Sequence, residues 1–273
     1  MTAGAQWRAK VLARRRTGRY AVLTVSAPGV AQRCRPGQFV SVTVPDDSAF
    51  LLRRQLWIGT SSASGRDGGA VELIVDASRS GGARLAALDQ GATLDVLGPL
   101  GRPFSLPKQP VTALLAAAGA ATAPLVWLAA ELGARGSRIR FMFLPPDEPF
   151  GVLDAKRLSA GVVTVARTRE IAAALAADAS HGRDVVYSAG PAELMAVVAG
   201  AVGATPHQTA LQTERVCAAG TCTACVVPIT GRDGVARMVR ACTEGAVFNA
   251  HLVRWDELGS IPAECHGPQE GAL

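Results

Sequence analysis

Four of the six cysteines in this 273-residue chain lie between residues 217 and 242, and their spacing is the strongest chemical signal in the sequence. They are Cys217, Cys222, Cys225 and Cys242, in the order C-x4-C-x2-C-x16-C. Cysteines gathered in this way form disulfides, bind metal or do redox chemistry, depending on the compartment and the spacing. The sequence around them must decide among these possibilities.

Three kinds of cysteine site are considered. Structural zinc prefers paired C-x2-C knuckles, and only Cys222 and Cys225 form such a pair. Disulfides are rare in the cytoplasm, where we expect the protein because "MTAGAQWRAK" at the N-terminus has no apolar signal core. Plant-type 2Fe-2S ferredoxins have a C-x4-C-x2-C run and a distant fourth cysteine, which fits. The spacing therefore favours a 2Fe-2S cluster on the four cysteines and leaves zinc, or no metal, as alternatives.

The residues between these cysteines are small, as in "CAAGTCTAC" at 217–225, so the loop can wrap around inorganic sulfide. Cys34 and Cys265 lie outside the pattern and are predicted to be structural or free. The four histidines are scattered and flank no nucleophile, so no catalytic residue is predicted.

The charge and hydropathy patterns exclude two classes of protein. The formal net charge is +6, and much of the excess arginine lies in "RAKVLARRRTGR" at residues 8–19. No stacking aromatics accompany this stretch, so we expect it to serve an acidic partner or cofactor and not nucleic acid. The uncharged run at 111–130 is long enough for a membrane span. Its glycine and proline interruptions favour a buried strand, a turn and a helix in a protein outside the membrane.

Three segments must position the cysteines. Residues 1–105 contain short strands at even spacing, near 20–27, 38–45, 70–77 and 92–99, with a helical piece at 81–88, which predicts an antiparallel β-barrel. Residues 106–205 alternate strands and helices, which predicts a parallel α/β sheet of the nucleotide-binding type. Residues 206–273 form a small cluster-binding domain. The predicted fold is thus a multidomain α+β chain.

This order of parts resembles the electron-transfer subunit of class 1B dihydroorotate dehydrogenase, in the ferredoxin-reductase superfamily. The segments that carry the resemblance run over nearly the whole chain: "PGQFVSV" (36–42), "LLRRQLWI" (51–58), "LGPLGRPF" (97–104), "YSAGPAELM" (187–195) and "CTEGAVF" (242–248). The resemblance implies FAD in the barrel and a 2Fe-2S cluster that relays electrons to a separate dihydroorotate-dehydrogenase-like flavoprotein subunit.

The flavin motifs depart from the family pattern. The family has approximately Arg-Pro-aliphatic-Ser where this chain has Arg54 to Trp57, so only the arginine remains. Its Gly-x-Gly-Thr motif becomes Arg79 to Gly82, whose backbone amides are expected to cradle phosphate. The resemblance still implies nine flavin-binding residues: Arg54, Gln55, Leu56, Trp57, Ile74, Val75, Asp76, Gly81 and Gly82.

The nicotinamide motif departs further. A glycine-rich loop in the family becomes "AAGAA" at 117–121, and added methyl groups obstruct close approach to a pyrophosphate. We therefore expect NAD(P)H binding to be weak or absent. The resemblance implies an oxidoreductase subunit in a hetero-oligomer, not a stand-alone catalyst. The alternative is a degenerate accessory subunit that keeps the cluster and has lost flavin and nicotinamide chemistry.

Overall fold

The computed structural model describes residues 5–45, 51–64, 68–79, 81–146, 148–213 and 215–260. Six antiparallel strands form a closed barrel in the order β1-β2-β5-β4-β3-β6. Their bounds are β1 Ala5–Thr17, β2 Tyr20–Ser26, β3 Phe39–Val42, β4 Arg54–Ser62, β5 Ala70–Asp76 and β6 Thr93–Leu100. Two short helices accompany them, α1 Pro28–Ala31 and α2 Gly82–Ala86. The barrel encloses its own core of small and branched apolar side chains, as the strand pattern predicts.

The second sheet has six strands in the order β14-β11-β10-β7-β8-β9, and all neighbours are parallel except β14 and β11. Its strands are β7 Thr112–Ala118, β8 Arg138–Leu144, β9 Gly161–Thr164, β10 Val185–Pro191, β11 His207–Gln212 and β14 Val247–Asn249. The helices between them are α3 Thr122–Ala134, α4 Val152–Leu158, α5 Ile171–Ala179 and α6 Ala192–Val202. The predicted α/β architecture is confirmed, with one antiparallel edge strand added.

The four cluster cysteines lie in an insertion between two strands of this second sheet, β11 and β14. Strands β12 Val226–Thr230 and β13 Ala236–Arg240 pair as an antiparallel hairpin between β11 and β14. Strand β14 then returns to the sheet beside β11, with Ala210 opposite Val247. Two strands of the predicted range 206–273 therefore complete the α/β sheet, and the cluster segment is built onto that sheet.

One core joins the three parts. It contains buried residues of the α/β sheet, the cysteine segment and the adjoining face of the barrel, where Phe39, Trp57 and Phe104 contribute. Because these side chains are each at most 6 % exposed, the barrel, the sheet and the cluster segment meet through packed apolar contacts.

Several elements differ from the sequence expectations. The basic stretch at 8–19 forms most of strand β1, and its arginines alternate poorly with apolar residues, so the strand pattern was hidden. Strand β4 and helix α4 were also not predicted. The apolar run at 111–130 is strand β7, a turn and the start of α3, as expected. In the part of the chain that the structure describes, no helix is long and apolar enough to cross a membrane.

Candidate functional site

The cysteine loop is a tightly curved segment that follows strand β11 and precedes strand β12. Three residues in it have left-handed backbone, with φ of 55° at Ala218, 82° at Gly220 and 52° at Thr223. This curvature turns backbone amides toward sulfur. The N–H groups of Ala219 and Cys222 both donate to Sγ of Cys217 at 3.4 Å. The loop thus has the amide-to-sulfur contacts that an iron–sulfur site needs.

The four cysteines lie in two pairs. The Cys217 thiol interacts with Cys222 in the loop, and the Cys225 sulfur accepts a hydrogen bond from the Cys242 thiol. Cys225 and Cys242 are buried, Cys217 is half-buried and Cys222 is exposed. Two pairs of thiols suit two irons, each with two protein ligands. Among the described residues, no three His, Cys, Asp or Glu side chains are placed to hold a single metal ion.

The electrostatics of the loop favour thiolates at Cys217 and Cys225. Burial raises the pKa of Cys217, but hydrogen bonds from the Thr221 hydroxyl and the backbone amides outweigh it and lower that pKa to about 6. The hydrogen bond from Cys242 lowers the pKa of Cys225 to about 6, with a further contribution from the Arg215 charge. The same hydrogen bond, together with burial, raises the pKa of Cys242. Since thiolates are the metal-binding form, the donor set fits a 2Fe-2S cluster.

A cavity of about 880 Å³ lies where the barrel, the α/β sheet and the cysteine loop meet. The barrel contributes Phe39 and residues of β4 and β5, the sheet contributes Ala120 and Glu193, and the segment before the cysteines contributes Arg215 and Val216. The volume is in the upper part of the range for cofactor pockets, about 300–1,000 Å³. Val216 directly precedes Cys217, so a group bound in the cavity would lie near the first of the four cysteines.

Eight of the nine predicted flavin residues line this cavity: Arg54, Gln55, Leu56, Trp57, Ile74, Val75, Asp76 and Gly82. Gly81 does not line it, but has φ of 73° at the start of α2. Their assignment to a flavin stays a prediction.

One amide of the expected phosphate cradle at the start of α2 already has a partner within the protein, and the cradle itself stays a prediction. The Gly82 N–H donates to the carbonyl of Arg79 at 2.7 Å, so it does not face a ligand. A Cβ atom on Gly82 would lie 2.0 Å from the Asp76 carbonyl oxygen, so glycine is required there for packing. The Asp76 carboxylate binds Arg19 and Ser78, and these contacts outweigh its burial and lower its pKa. Ser80 lies outside the described residues.

Trp57 forms part of the cavity wall and does not fill the cavity. It is 6 % exposed and packs edge-to-face on Phe39, with ring centres 6.2 Å apart. Thr213, on the opposite wall, has a buried hydroxyl with no hydrogen-bond partner within the described residues. An open cavity with an unpartnered hydroxyl in its wall fits a large polar cofactor such as a flavin.

Comparison with known proteins identifies the family. The family model "Iron-sulfur cluster binding domain of dihydroorotate dehydrogenase B" matches residues 214–254. The dihydroorotate dehydrogenase B (NAD(+)) electron transfer subunit of Bacillus caldolyticus is 30% identical over 245 residues, covering 84% of this chain and 90% of that protein. The chain belongs to the family of dihydroorotate dehydrogenase B electron transfer subunits. The subunit of the same name from Listeria monocytogenes serotype 4a is 28% identical over 228 residues, covering 80% and 87% of the two chains.

Solved structures support the fold of this electron transfer subunit. A structure of NADH-dependent reduced ferredoxin-NADP oxidoreductase aligns with a TM-score of 0.76 at 21% identity, covering 94% of this chain and 93% of that one. A ferredoxin reductase of carbazole 1,9a-dioxygenase aligns with a TM-score of 0.59 at 18% identity, covering 73% and 64%. The barrel, the α/β sheet and their order therefore agree with the ferredoxin-reductase-like fold.

The loop after β7 distinguishes this electron transfer subunit from the family pattern. Ala117, Ala118 and Ala121 are each at most 2% exposed, and only Ala120 lines the cavity. Their methyl groups thus pack inside the turn. A Cβ atom on Gly190 would lie 3.3 Å from the Ala118 Cβ, so the ends of β7 and β10 already approach closely. The turn after β7 is therefore closely packed.

The described segment after β14, residues 250–260, packs against the core of the α/β sheet. The Trp255 indole N–H donates to the Ala250 carbonyl at 2.9 Å, and Trp255 contacts the joint core beside buried Phe248. Of the two cysteines outside the cluster pattern, Cys34 is buried in the barrel and Cys265 lies outside the described residues.

Sequence reasoning missed the cavity residues that lie outside the barrel motifs. Glu193 and Thr213 reach the cavity only because β10 and β11 end beside the barrel, and short sequence patterns do not report that contact. Arg215 was also missed, although its position two residues before Cys217 could have drawn attention to it. Its contacts with Phe39 and Trp57 could not be read from that spacing.

Proposed function

We propose that this protein is an electron-transfer subunit that carries a 2Fe-2S cluster and FAD and exchanges electrons with a dihydroorotate-dehydrogenase-like flavoprotein in a hetero-oligomer. The single observation that carries the proposal is that the cavity between barrel and sheet is lined by Arg215 and Val216, and Val216 directly precedes Cys217. Two redox groups held there would be adjacent. FAD supplies two-electron chemistry when bound, and the cluster accepts or gives one electron at a time.

The protein's own residues divide the remaining work. Cys217, Cys222, Cys225 and Cys242 hold the cluster, and backbone amides of the loop stabilise its sulfur charge. Strand β4 holds Arg54 at the cavity, where its guanidinium can make a charge-assisted bond to a diphosphate. The hydroxyl of Thr213 provides a hydrogen bond from the sheet side. The apolar wall of Phe39 and Trp57 excludes water from that side of the cavity.

The exposed side of the cysteine loop is the proposed exit for electrons. Cys222 is exposed, and the neighbouring Thr221, Thr223 and Ala224 are small and also exposed. Little side chain therefore separates the cluster from a docked protein. Leu52 and Val216, which are 50% and 41% exposed, lie at the edge of the same cavity and add apolar area. We propose that the flavoprotein partner docks here.

The remaining assignments are also proposals. We keep the domain division 1–105, 106–205 and 206–273, with β11 and β14 of the last range completing the α/β sheet. We place the protein in the cytoplasm, since its cluster cysteines must stay reduced to bind iron.

The alternative function is an accessory subunit that keeps the cluster without a flavin. The altered motif at Arg54 to Trp57 and the internal bond of the Gly82 amide favour it. The open cavity opposes it, since Trp57 packs in the wall and leaves about 880 Å³ of space. The two functions differ in one observable property, which is the flavin absorbance of the purified protein.

Anaerobic purification tests the proposal. We expect flavin absorbance near 450 nm together with a broad cluster spectrum, and both iron and acid-labile sulfide in the protein. Cys222→Ser should remove most iron and bleach the cluster spectrum, whereas the matched control Cys34→Ser, in the barrel, should not. Zinc without sulfide would refute the cluster, and a cluster without flavin would establish the accessory function. Co-expression with the flavoprotein and size-exclusion chromatography test the partner.

A further inference from the structure

Arg215 is a buried arginine that lies between the two candidate cofactor sites. It is 5% exposed and follows β11, two positions before the ligand Cys217. Its side chain also lines the large cavity. Burying an arginine is costly unless the surroundings compensate its charge, so a buried arginine at this junction calls for an explanation.

The guanidinium is held in one place by contacts from two parts of the fold. Its carbon atom lies 4.4 Å from the centre of the Phe39 ring and 5.8 Å from that of Trp57, so it stacks on the barrel wall. Its Nη2 donates a hydrogen bond to the Leu211 carbonyl of β11. Cation–π contact is strongest where the cation is desolvated, as it is here. The charge is therefore fixed between barrel and sheet.

The fixed charge of Arg215 also lies near the proposed cluster. Arg215 and Cys217 are two residues apart, so their Cα atoms lie within about 7 Å of each other and the buried side chain is beside the first cluster cysteine. One-electron reduction adds a unit of negative charge to a 2Fe-2S site. A positive charge held nearby in a low-dielectric environment stabilises the reduced form more than the oxidised form.

We propose that Arg215 is a positioning residue for electron transfer, whose buried charge raises the reduction potential of the cluster and favours passage of an electron from the cavity side to the cysteine loop. The inference rests on the proposed function, since it requires a cluster on this loop. It assigns to Arg215 a role in setting the potential that is separate from holding the fold. Electron transfer itself moves one electron and makes or breaks no bond at Arg215.

The test is an anaerobic redox titration of the full chain, with dithionite as reductant and the reduced cluster followed by electron paramagnetic resonance. In Arg215→Gln, we expect the equilibrium constant for one-electron reduction to fall about tenfold or more, a shift of about 59 mV to lower potential. Arg215→Lys keeps the charge, so its cluster should have a reduction potential closer to that of the unmodified protein. Arg215→Met is a second neutral variant with the same expectation as Arg215→Gln.

Arg237→Gln is the matched control. Arg237 is also buried, but it lies on the β13 strand, makes two bonds to Asp233 of 2.7 and 2.6 Å and does not line the cavity. Its substitution should leave the cluster potential unchanged. Equal potentials in the neutral Arg215 variants and the unmodified protein would overturn the inference. So would loss of the cluster from both neutral variants with retention in Arg215→Lys, because Arg215 would then serve assembly. Absence of a cluster from the unmodified protein would instead refute the proposed function.

Discussion

Gly220 of the cysteine loop lies directly against Thr243, the residue that follows Cys242. A Cβ atom added to Gly220 would lie 3.0 Å from Cγ2 of Thr243, closer than ordinary side-chain packing allows. The φ angle of Gly220 is 82°, which also disfavours any side chain. The loop thus passes close to the residue that follows the fourth cysteine, with no room for a side chain at Gly220.

We therefore expect Gly220→Ala to weaken the cluster site. The left-handed backbone alone costs about 1–2 kcal/mol for a residue with a side chain, and the crowding at Thr243 adds to it. Iron and sulfide content should fall, and the cluster should be lost faster on exposure to a chelator. The matched control is Gly234→Ala, in the β12–β13 hairpin, which has φ of 80° and no atom within 4 Å of the added Cβ. Equal cluster loss in both variants would show that the contact with Thr243 is unimportant.

Arg54→Gln should weaken flavin binding. A charge-assisted bond contributes about 1.5–3 kcal/mol, so its loss should raise the flavin dissociation constant roughly 10- to 100-fold. Fluorescence titration of flavin-depleted protein with FAD measures the effect. Arg53→Gln is the comparison variant, because Arg53 also lines the cavity but is bound to Asp95 at 2.9 Å. Its substitution should lower the stability of the fold and change flavin affinity little. Unchanged affinity in Arg54→Gln would remove Arg54 from the flavin site.

Nicotinamide should reduce the protein poorly. The methyl groups of Ala117, Ala118 and Ala121 fill the turn after β7, and Ala120 adds one more at the cavity. Stopped-flow mixing with NADH or NADPH should give slow bleaching of the flavin without saturation at micromolar concentration. Ala120→Gly should increase the rate if that methyl group is the obstacle. Rapid, saturable bleaching of the unmodified protein by micromolar NADH would contradict the prediction.

His207 should make the fold less stable in acid. It is 2% exposed, with Nε2 2.7 Å from the Ser188 hydroxyl, and burial lowers its pKa to about 3, with His251 and Arg183 adding to the effect. The unfolded chain binds a proton near pH 6.5, whereas folded His207 stays neutral. Neutral His207 therefore contributes fully to the free energy of unfolding above about pH 6.5. This contribution decreases as the pH falls toward 3.

Chemical denaturation of the unmodified protein and His207→Gln at pH 7.5 and 5 measures this effect. The decrease in the free energy of unfolding between these two values should be smaller in His207→Gln. The control is His181→Gln, at an exposed position, which should behave like the unmodified protein. An equal decrease in all three proteins would show that His207 is not buried in its neutral form.

The sequence predicted the cluster and the fold better than the cavity. Cysteine spacing is read directly from the chain, so the four cysteines from Cys217 to Cys242 could be grouped as ligands. The alternation of strands and helices identified the α/β sheet. Strand β1 was hidden because its charged residues face the solvent. The roles of Gly82 and Arg215 could not be read from spacing, since each depends on contact with a distant segment, Asp76 for one and Phe39 for the other.

The return of β14 to the sheet beside β11 has a consequence for how electrons leave the molecule. The cysteine segment departs after Gln212 and rejoins at Val247, and these two strands are hydrogen-bonded neighbours. Both ends of the segment are therefore anchored to the same rigid support, unlike a carrier domain that swings on a single tether. The separation between the cavity and the cluster is set when the protein folds. A partner must therefore dock at a cluster whose position is fixed. The rate of electron transfer then depends on how closely the partner docks and not on movement of the cluster.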